Sequence, residues 1–202
     1  MTDDLIRCAW IKDPLMQAYH DEEWGEPVHD DTRHHEFLIL DAFQAGLSWA
    51  IILKKREGFR RAFAGFEPER VARFTPARVQ KILRDPGIVR NKLKVRAAVT
   101  NARAFLAIQH EFGSFDKFIW QFMGWRTKHN TWTALKQLPA RTKESDRMSE
   151  SLKTLGFQFV GSTICYSYMQ AAGMVNDHLT KCFRYRELAG PRGSGSARSA
   201  TT

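Results

Sequence analysis

The sequence contains no run of about eighteen apolar residues, so nothing in it reads as a membrane-spanning helix. Its opening stretch, MTDDLIRC, is short and acidic where a signal peptide would be basic and then apolar, so no secretory leader is expected. Cysteine is scarce. Cys8, Cys165 and Cys182 are too few and too scattered for a disulfide framework, and they read as thiols of a reducing compartment, available to a metal or a core. Strand-like alternation of apolar and polar residues is lacking too. These absences exclude a membrane protein and a small disulfide-bonded scaffold, and they point to a cytoplasmic chain.

Acid is also in deficit: 22 Asp and Glu stand against 31 Lys and Arg, a net charge of +9. Arg192 and Arg198 in the stretch GPRGSGSARSATT supply only two of these charges, leaving +7 on residues 1–189. A surplus carried by the folded part favours a polyanionic partner, with nucleic acid first, although surface Lys and Arg that only aid solubility would give the same sum.

What the chain has in quantity is helical periodicity. With 202 residues, 43% of them hydrophobic and 12% aromatic, it can bury one sizeable core. Asp13-Pro14 predicts a helix through Tyr19, and Asp30 or Asp31 can cap one carrying HHEFLILDAFQA. Gly46 interrupts, Ser48 can cap, and Trp49 starts a helix through ILKKREGFRRAF. Shorter helices are expected in PARVQKILR, NKLKVRAAVTNARAFLAIQ, FDKFIWQFM and SDRMSESLKTL, the last stopped by Gly156. Ser162 is expected to cap STICYSYMQAA, and a last helical turn or two to run through NDHLTKC. The result is one all-α domain of eight to ten short helices over residues 1–189, with a disordered tail over 190–202. MGWRTKHNTW, residues 123–132, is the one extended polar loop.

Two stretches carry chemistry. His178 and Cys182 stand four apart, a spacing that puts two side chains on one helix face. With Cys8 and His20 from the other end of the chain they would complete a tetrahedral zinc shell, closed and therefore structural. Spacing alone does not distinguish this from two isolated thiols and two ordinary histidines. The second stretch, LRDPGIVRNKLK, sets a Pro86-Gly87 turn between helices, with Arg84, Arg90, Lys92 and Lys94 around it. Such a turn exposes backbone N–H groups that can hold a phosphate, and the cations would add a salt-dependent attraction.

Taken in order, RCAW, DPLMQAYHDEEWG, QAGLSW, LKKRE, DPGIVRNK, GFQFVGSTICYSYMQAAG and MVNDH resemble the DNA-3-methyladenine glycosylase I family, over about Arg7 to Cys182. The resemblance implies a helix-hairpin-helix glycosylase fold in which a structural zinc, held by Cys8, His20, His178 and Cys182, joins the two chain ends. It implies hydrolytic release of 3-methyladenine from double-stranded DNA carrying alkylated bases, leaving an abasic site, by a nucleoid-associated monomer. It further implies that Tyr19 and Trp49 stack on the extruded base, that Trp24, Trp10 and Met16 line the slot, and that Gly46, Leu47 and Ser48 press into the duplex. Gly87, Val89, Arg90 and Lys92 of the hairpin would hold the DNA backbone. Asn91 matches the position where lyase-competent relatives place a lysine, so no strand cutting is implied. A zinc hydrolase is disfavoured because four N/S ligands leave no site for water.

Asp41 is the acid in the apolar run LILDAFQAGLSW. An ionised carboxylate there needs a partner. It reads either as a structural acid pairing with Arg33, His34 or a tyrosine, or as the active-site carboxylate. The resemblance favours the second: the family typically has Glu here, recognising the donors of the methylated base, with Gln44 placed to support it or to read the base. The shorter acid, and Met16 where the family often has an aromatic, open an alternative. In it the chain releases a different or bulkier alkylated purine, or binds alkylated DNA without efficient excision.

Overall fold

The chain begins its first helix where the sequence can end extended backbone cheaply. Asp13 accepts the Met16 N–H, Pro14 fits the first helical position, and α1 runs Pro14–Glu22. The computed structural model describes residues 5–190, so most of the tail expected to be disordered lies outside the described residues. Asp30 caps α2, Asp31–Gln44, and Ser48 precedes α3, Trp49–Ala62, without a side-chain cap. Then come α4, Pro68–Ala72; α5, Pro76–Ile82; α6, Lys92–Phe112, capped by Asn91; and α7, Phe115–Trp120, capped by Ser114. Finally α8 runs Lys143–Thr154, α9 Ser162–Ala171 and α10 Phe183–Ala189. Ten α-helices among the described residues agree with the expected all-α class. None is long and apolar enough to cross a membrane.

Four local expectations need correction. Gly161, not Ser162, caps α9: Gly161 is the last residue with extended backbone, and Ser162 is already helical. Residues 176–182 form no helical turn of the kind expected. Asn176 Oδ1 accepts the His178 N–H and Leu179 O accepts the Cys182 N–H, closing a tight turn instead. Two strands occur, β1 (Lys128–His129) and β2 (Val175–Asn176), paired in parallel. At two residues each they are too short to leave an alternation pattern. The short helices α4 and α10 were not anticipated.

Two apolar clusters share α2. Leu38 and Phe37 pack with α7, α8 and α9, while Ile39, Leu40 and Phe43 pack with α3 to α6. A helix buried on both sides is apolar all round, as α2 is over residues 37–43 apart from Asp41. Trp49, at the start of α3, touches both clusters, so the seam between the lobes runs past it. On the other side of α2, the buried Glu36 carboxylate accepts from Arg33, Arg56 and Arg60, and Glu23 at the end of α1 accepts from Arg33 and Arg56. This network sets the spacing of α1, α2 and α3. Those three helices carry Tyr19, Asp41 and Trp49.

Candidate active site and metal centre

Cys8 lies before α1, His20 on its last turn, and His178 and Cys182 in the turn before α10. All four are buried, and their ligand-type atoms lie within 4.8 Å of one another, a cluster that could hold a metal ion. His20 Nε2 is 3.1 Å from His178 Nδ1, and Cys182 Sγ is 3.4 Å and 3.6 Å from those two nitrogens. Cys8 Sγ stands 3.8 Å from His178 Nδ1. A tetrahedral ion with Zn–N of about 2.0–2.1 Å and Zn–S of about 2.3 Å requires ligand separations of about 3.3–3.8 Å. The two Cys182 distances and the Cys8–His178 distance match, and the two imidazoles stand slightly closer than that, so the donor set fits with a small side-chain adjustment.

The surroundings fit as well, because each ring nitrogen that faces away from the centre is already engaged. His20 Nδ1 pairs with Asp21 at 2.7 Å, and Asp21 is held in turn by Arg7. His178 Nε2 meets the Trp24 carbonyl at 2.8 Å. Those contacts fix both tautomers so that lone pairs point inward, the usual support of metal-bound imidazole. The Leu179 N–H donates to Cys8 Sγ, and a hydrogen bond with Cys8, followed by His178 and His20, holds the Cys182 thiol well below its ordinary pKa. The helical i, i+4 geometry expected for His178 and Cys182 is absent; the turn brings them together.

Beside this cluster lies a pocket of about 310 Å³, lined by Trp10, Met16, Tyr19, Trp24, Asp41, Gln44, Trp49, Leu138, Ser167 and Gln170. The first seven are the residues expected from the sequence. Tyr19 and Trp49 pack against one another tilted by 51°, with centroids 5.3 Å apart, and Trp10 meets Trp24 edge-on at 5.2 Å. Trp24 also packs on His178 at 4.6 Å, so the Cys/His cluster buttresses the aromatic wall.

Asp41 is 3% exposed, and its Oδ2 has no hydrogen-bond partner among the described residues. The structural partners considered for it are taken: Arg33 serves Glu23 and Glu36, while His34 bonds Asp116 and the Tyr168 hydroxyl. The other α2 acids are satisfied, Asp31 by Gln109 and two backbone N–H groups, Glu36 by its arginines. Burial alone drives the Asp41 pKa well above the ordinary carboxylate range. Trp49 Nε1 is a second buried, unpartnered atom in the pocket, a donor. Gln44 does not brace Asp41: its amide donates to the Leu47 carbonyl at 3.0 Å and stiffens the turn after α2.

In that turn Gly46 is exposed at φ +84°, with open space around it, Leu47 is half-buried and Ser48 exposed. The hairpin joins α5 to α6. The Gly87 N–H donates to Asp85, Lys55 donates to the Pro86 carbonyl, and Gly87 lies against Gly58 of α3. Val89 is half-buried; Arg84, Arg90 and Lys92 are exposed. Lys94 departs from the basic group: it is buried, and its Nζ caps the end of α2 through the Phe43 and Ala45 carbonyls at 3.0 Å and 2.6 Å. Asn91 is occupied as the α6 cap. Cys165 is a core thiol, as expected.

Leu138, Ser167 and Gln170 were not foreseen as pocket residues. Leu138 lies in no marked stretch, whereas Ser167 and Gln170 lie within GFQFVGSTICYSYMQAAG, where their i, i+3 spacing on one face of α9 is the signal that points to them.

The sequence profile of the methyladenine glycosylase family matches residues 10–185, nearly all of the described chain. The DNA-3-methyladenine glycosylase 1 of Escherichia coli (strain K12) is 44% identical over 180 residues, spanning 89% of this chain and 96% of that one. The corresponding protein of Haemophilus influenzae (strain ATCC 51907 / DSM 11121 / KW20 / Rd) is 39% identical, over 87% of this chain and 96% of its own. Among solved structures, the 3-methyladenine DNA glycosylase I of Staphylococcus aureus superposes with a TM-score of 0.87 at 34% identity, covering 91% of this chain and 98% of that one. The chain belongs to the methyladenine glycosylase family.

Proposed function

We propose that this chain hydrolyses the N-glycosidic bond of 3-methyladenine in alkylated double-stranded DNA, releasing the free base and leaving an abasic site. The observation that carries the proposal is Asp41: a buried acid with an open oxygen in an aromatic-walled pocket has use for a cationic ligand that brings hydrogen-bond donors. Its relatives bear the name of this activity, and the Staphylococcus aureus structure concerns 3-methyladenine recognition.

The chemistry asks for little proton transfer. Alkylation at N3 leaves the base positively charged, so the C1′–N9 bond breaks with both electrons going to the base, which departs neutral. Water then adds to the sugar and loses a proton to solvent. The protein supplies binding and exclusion of water. The nucleotide leaves the stack, Leu47 at the Gly46 turn fills the gap, and the base lies against the wall that Tyr19 and Trp49 form together. Asp41 accepts from it, preferring the charged lesion over neutral adenine. A DNA phosphate can stabilise the positive charge developing on the sugar. Gly87, Val89, Arg90 and Lys92 hold the backbone without reading sequence. The cluster of Cys8, His20, His178 and Cys182 holds one zinc ion, whose part is to pin the chain ends and the Trp24 wall. Met16, 8% exposed in the pocket wall, favours a second reading, release of a bulkier alkylpurine.

Chromatography of the bases released from methylated duplex DNA tests both. Free 3-methyladenine is the expected product. DNA binding by the wild-type protein with no 3-methyladenine released would refute the main reading.

A further inference from the structure

Asp177 is 1% exposed and surrounded by donors. Its Oδ1 accepts from Asn130 Nδ2 and Trp132 Nε1, both at 2.7 Å, and its Oδ2 from the Tyr166 hydroxyl at 2.6 Å and Gln170 Nε2 at 2.8 Å. Asn130 and Trp132 come from the polar loop over 123–132. Asp177 thus ties that loop to α9, and through Gln170 to the pocket.

A carboxylate has only acceptors to offer, so the Gln170 amide has no choice of orientation. Its NH₂ must face Asp177, and its Oε1, which has no hydrogen-bond partner among the described residues, must face away. Nearby, the Ser167 hydroxyl donates to the Thr163 carbonyl, which leaves only lone pairs for the pocket. Asp41 Oδ2 is a further open acceptor. Trp49 Nε1 is an open donor on the aromatic wall, so the discrimination is local: the edge of the base that meets Gln170 and Asp41 is matched by N–H donors and mismatched by a carbonyl oxygen.

We infer that Gln170 is a specificity-determining residue whose amide oxygen accepts from a donor edge of the bound purine, and that Asp177 is the positioning residue that fixes its orientation. The inference rests on the reading of this pocket as the site of an alkylated adenine, and it adds an acceptor that works alongside Asp41. A lone amide could turn over and accept a 6-oxo purine as readily as a 6-amino one. An amide locked by a buried carboxylate cannot.

The test measures binding of two free bases, 3-methyladenine and 3-methylhypoxanthine, by quenching of tryptophan fluorescence. These differ by an amine against a carbonyl at C6. Wild-type protein should prefer 3-methyladenine. Gln170→Met, which keeps the volume but removes the acceptor and the bond to Asp177, should reduce that preference by about tenfold to a hundredfold and lower the melting temperature by only a few degrees, since Asp177 keeps its other three donors, with metal content and affinity for undamaged duplex unchanged. In Asp177→Asn the new amide donates to Gln170 Oε1 and turns the Gln170 NH₂ toward the slot, so the preference should shift toward 3-methylhypoxanthine. An unchanged ratio of the two affinities in Gln170→Met would overturn the inference and leave the proposed function standing. Failure of the wild-type protein to bind either base would overturn both. If Asp177→Asn loses metal or melts early, Gln170→Met alone decides.

Discussion

His178 and Trp24 are joined at 2.8 Å through the imidazole Nε2 and the Trp24 main-chain carbonyl, and their rings pack at 4.6 Å. One face of His178 thus belongs to the cluster that could hold a metal, and the other fixes a wall of the pocket. Loss of the ion should therefore be felt in base binding as well as in stability. Metal analysis of the wild-type protein should return about one zinc per chain. Cys182→Ser should abolish that and lower the melting temperature by about 6–12 °C, the equivalent of about 3 kcal/mol at this size. Titration with 3-methyladenine should show weakened binding even at temperatures where the variant is still folded. Retained metal and an unchanged melting curve would count against the assignment.

Asp41 gives a pH prediction whose sign follows from its raised pKa. Below the unfolded value, near 3.8, the acid is neutral in both states and has no effect on stability. As pH rises from there to the folded pKa, the unfolded chain ionises first, and folding is progressively disfavoured. Asp41→Asn should therefore stabilise the protein near neutral pH, by about 1–3 kcal/mol, and the gain should vanish towards pH 4. The same substitution should slow release of 3-methyladenine, and the activity rise that accompanies ionisation of Asp41 should be missing from its pH profile. Denaturant melts and base-release assays from pH 4 to 8 read both effects. An Asn variant as active as wild type would end the base-recognition role.

Much of this was legible locally. Asp13, Asp30 and Asn91 each announce a helix by a cap, and the run 37–43 announces a buried helix by being apolar around its whole circumference. Nine of the ten pocket residues lie in marked stretches, and seven of those could be assigned to the pocket from the sequence. What was not legible depends on contacts distant in sequence. Leu138 reaches the pocket from the segment before α8, outside any marked stretch, and Ser167 and Gln170 reach it because α9 packs on α2, a contact their own motif does not announce. Lys94 stands among basic neighbours in the sequence, yet it shares a helical stripe with the buried Ala98 and Asn101, and that periodicity is the cue to its inward direction. The His178 to Cys182 spacing suited a helix, and the Asn176 side chain turned the chain another way.

Gly58 gives a test of the hairpin that leaves the pocket untouched. On α3 an Ala would ordinarily be the better helix former. Here a Cβ would run into the backbone carbonyl of Gly87, because helix and hairpin approach at that point without side chains between them. Gly58→Ala should push the hairpin off α3 and destabilise the protein by about 1–3 kcal/mol. Affinity for undamaged duplex should fall, while affinity for free 3-methyladenine stays near wild type. Equal losses of both would mean that the hairpin and the pocket are not separable surfaces.

Arg90 and Lys92 are exposed at the end of the hairpin and at the start of α6, where a duplex backbone held by the turn would pass. If each neutralises one phosphate, Arg90→Ala and Lys92→Ala should each reduce the slope of log affinity against log salt by about 0.9. The loss should be the same for damaged and undamaged duplexes, since phosphate contacts carry no base information. Lys94→Met, by contrast, removes the cap on the Phe43 and Ala45 carbonyls and should lower stability without altering the salt slope. Fluorescence anisotropy over a series of salt concentrations separates the three variants. A slope that drops for Lys94 and holds for the exposed pair would place the backbone contact elsewhere than the hairpin.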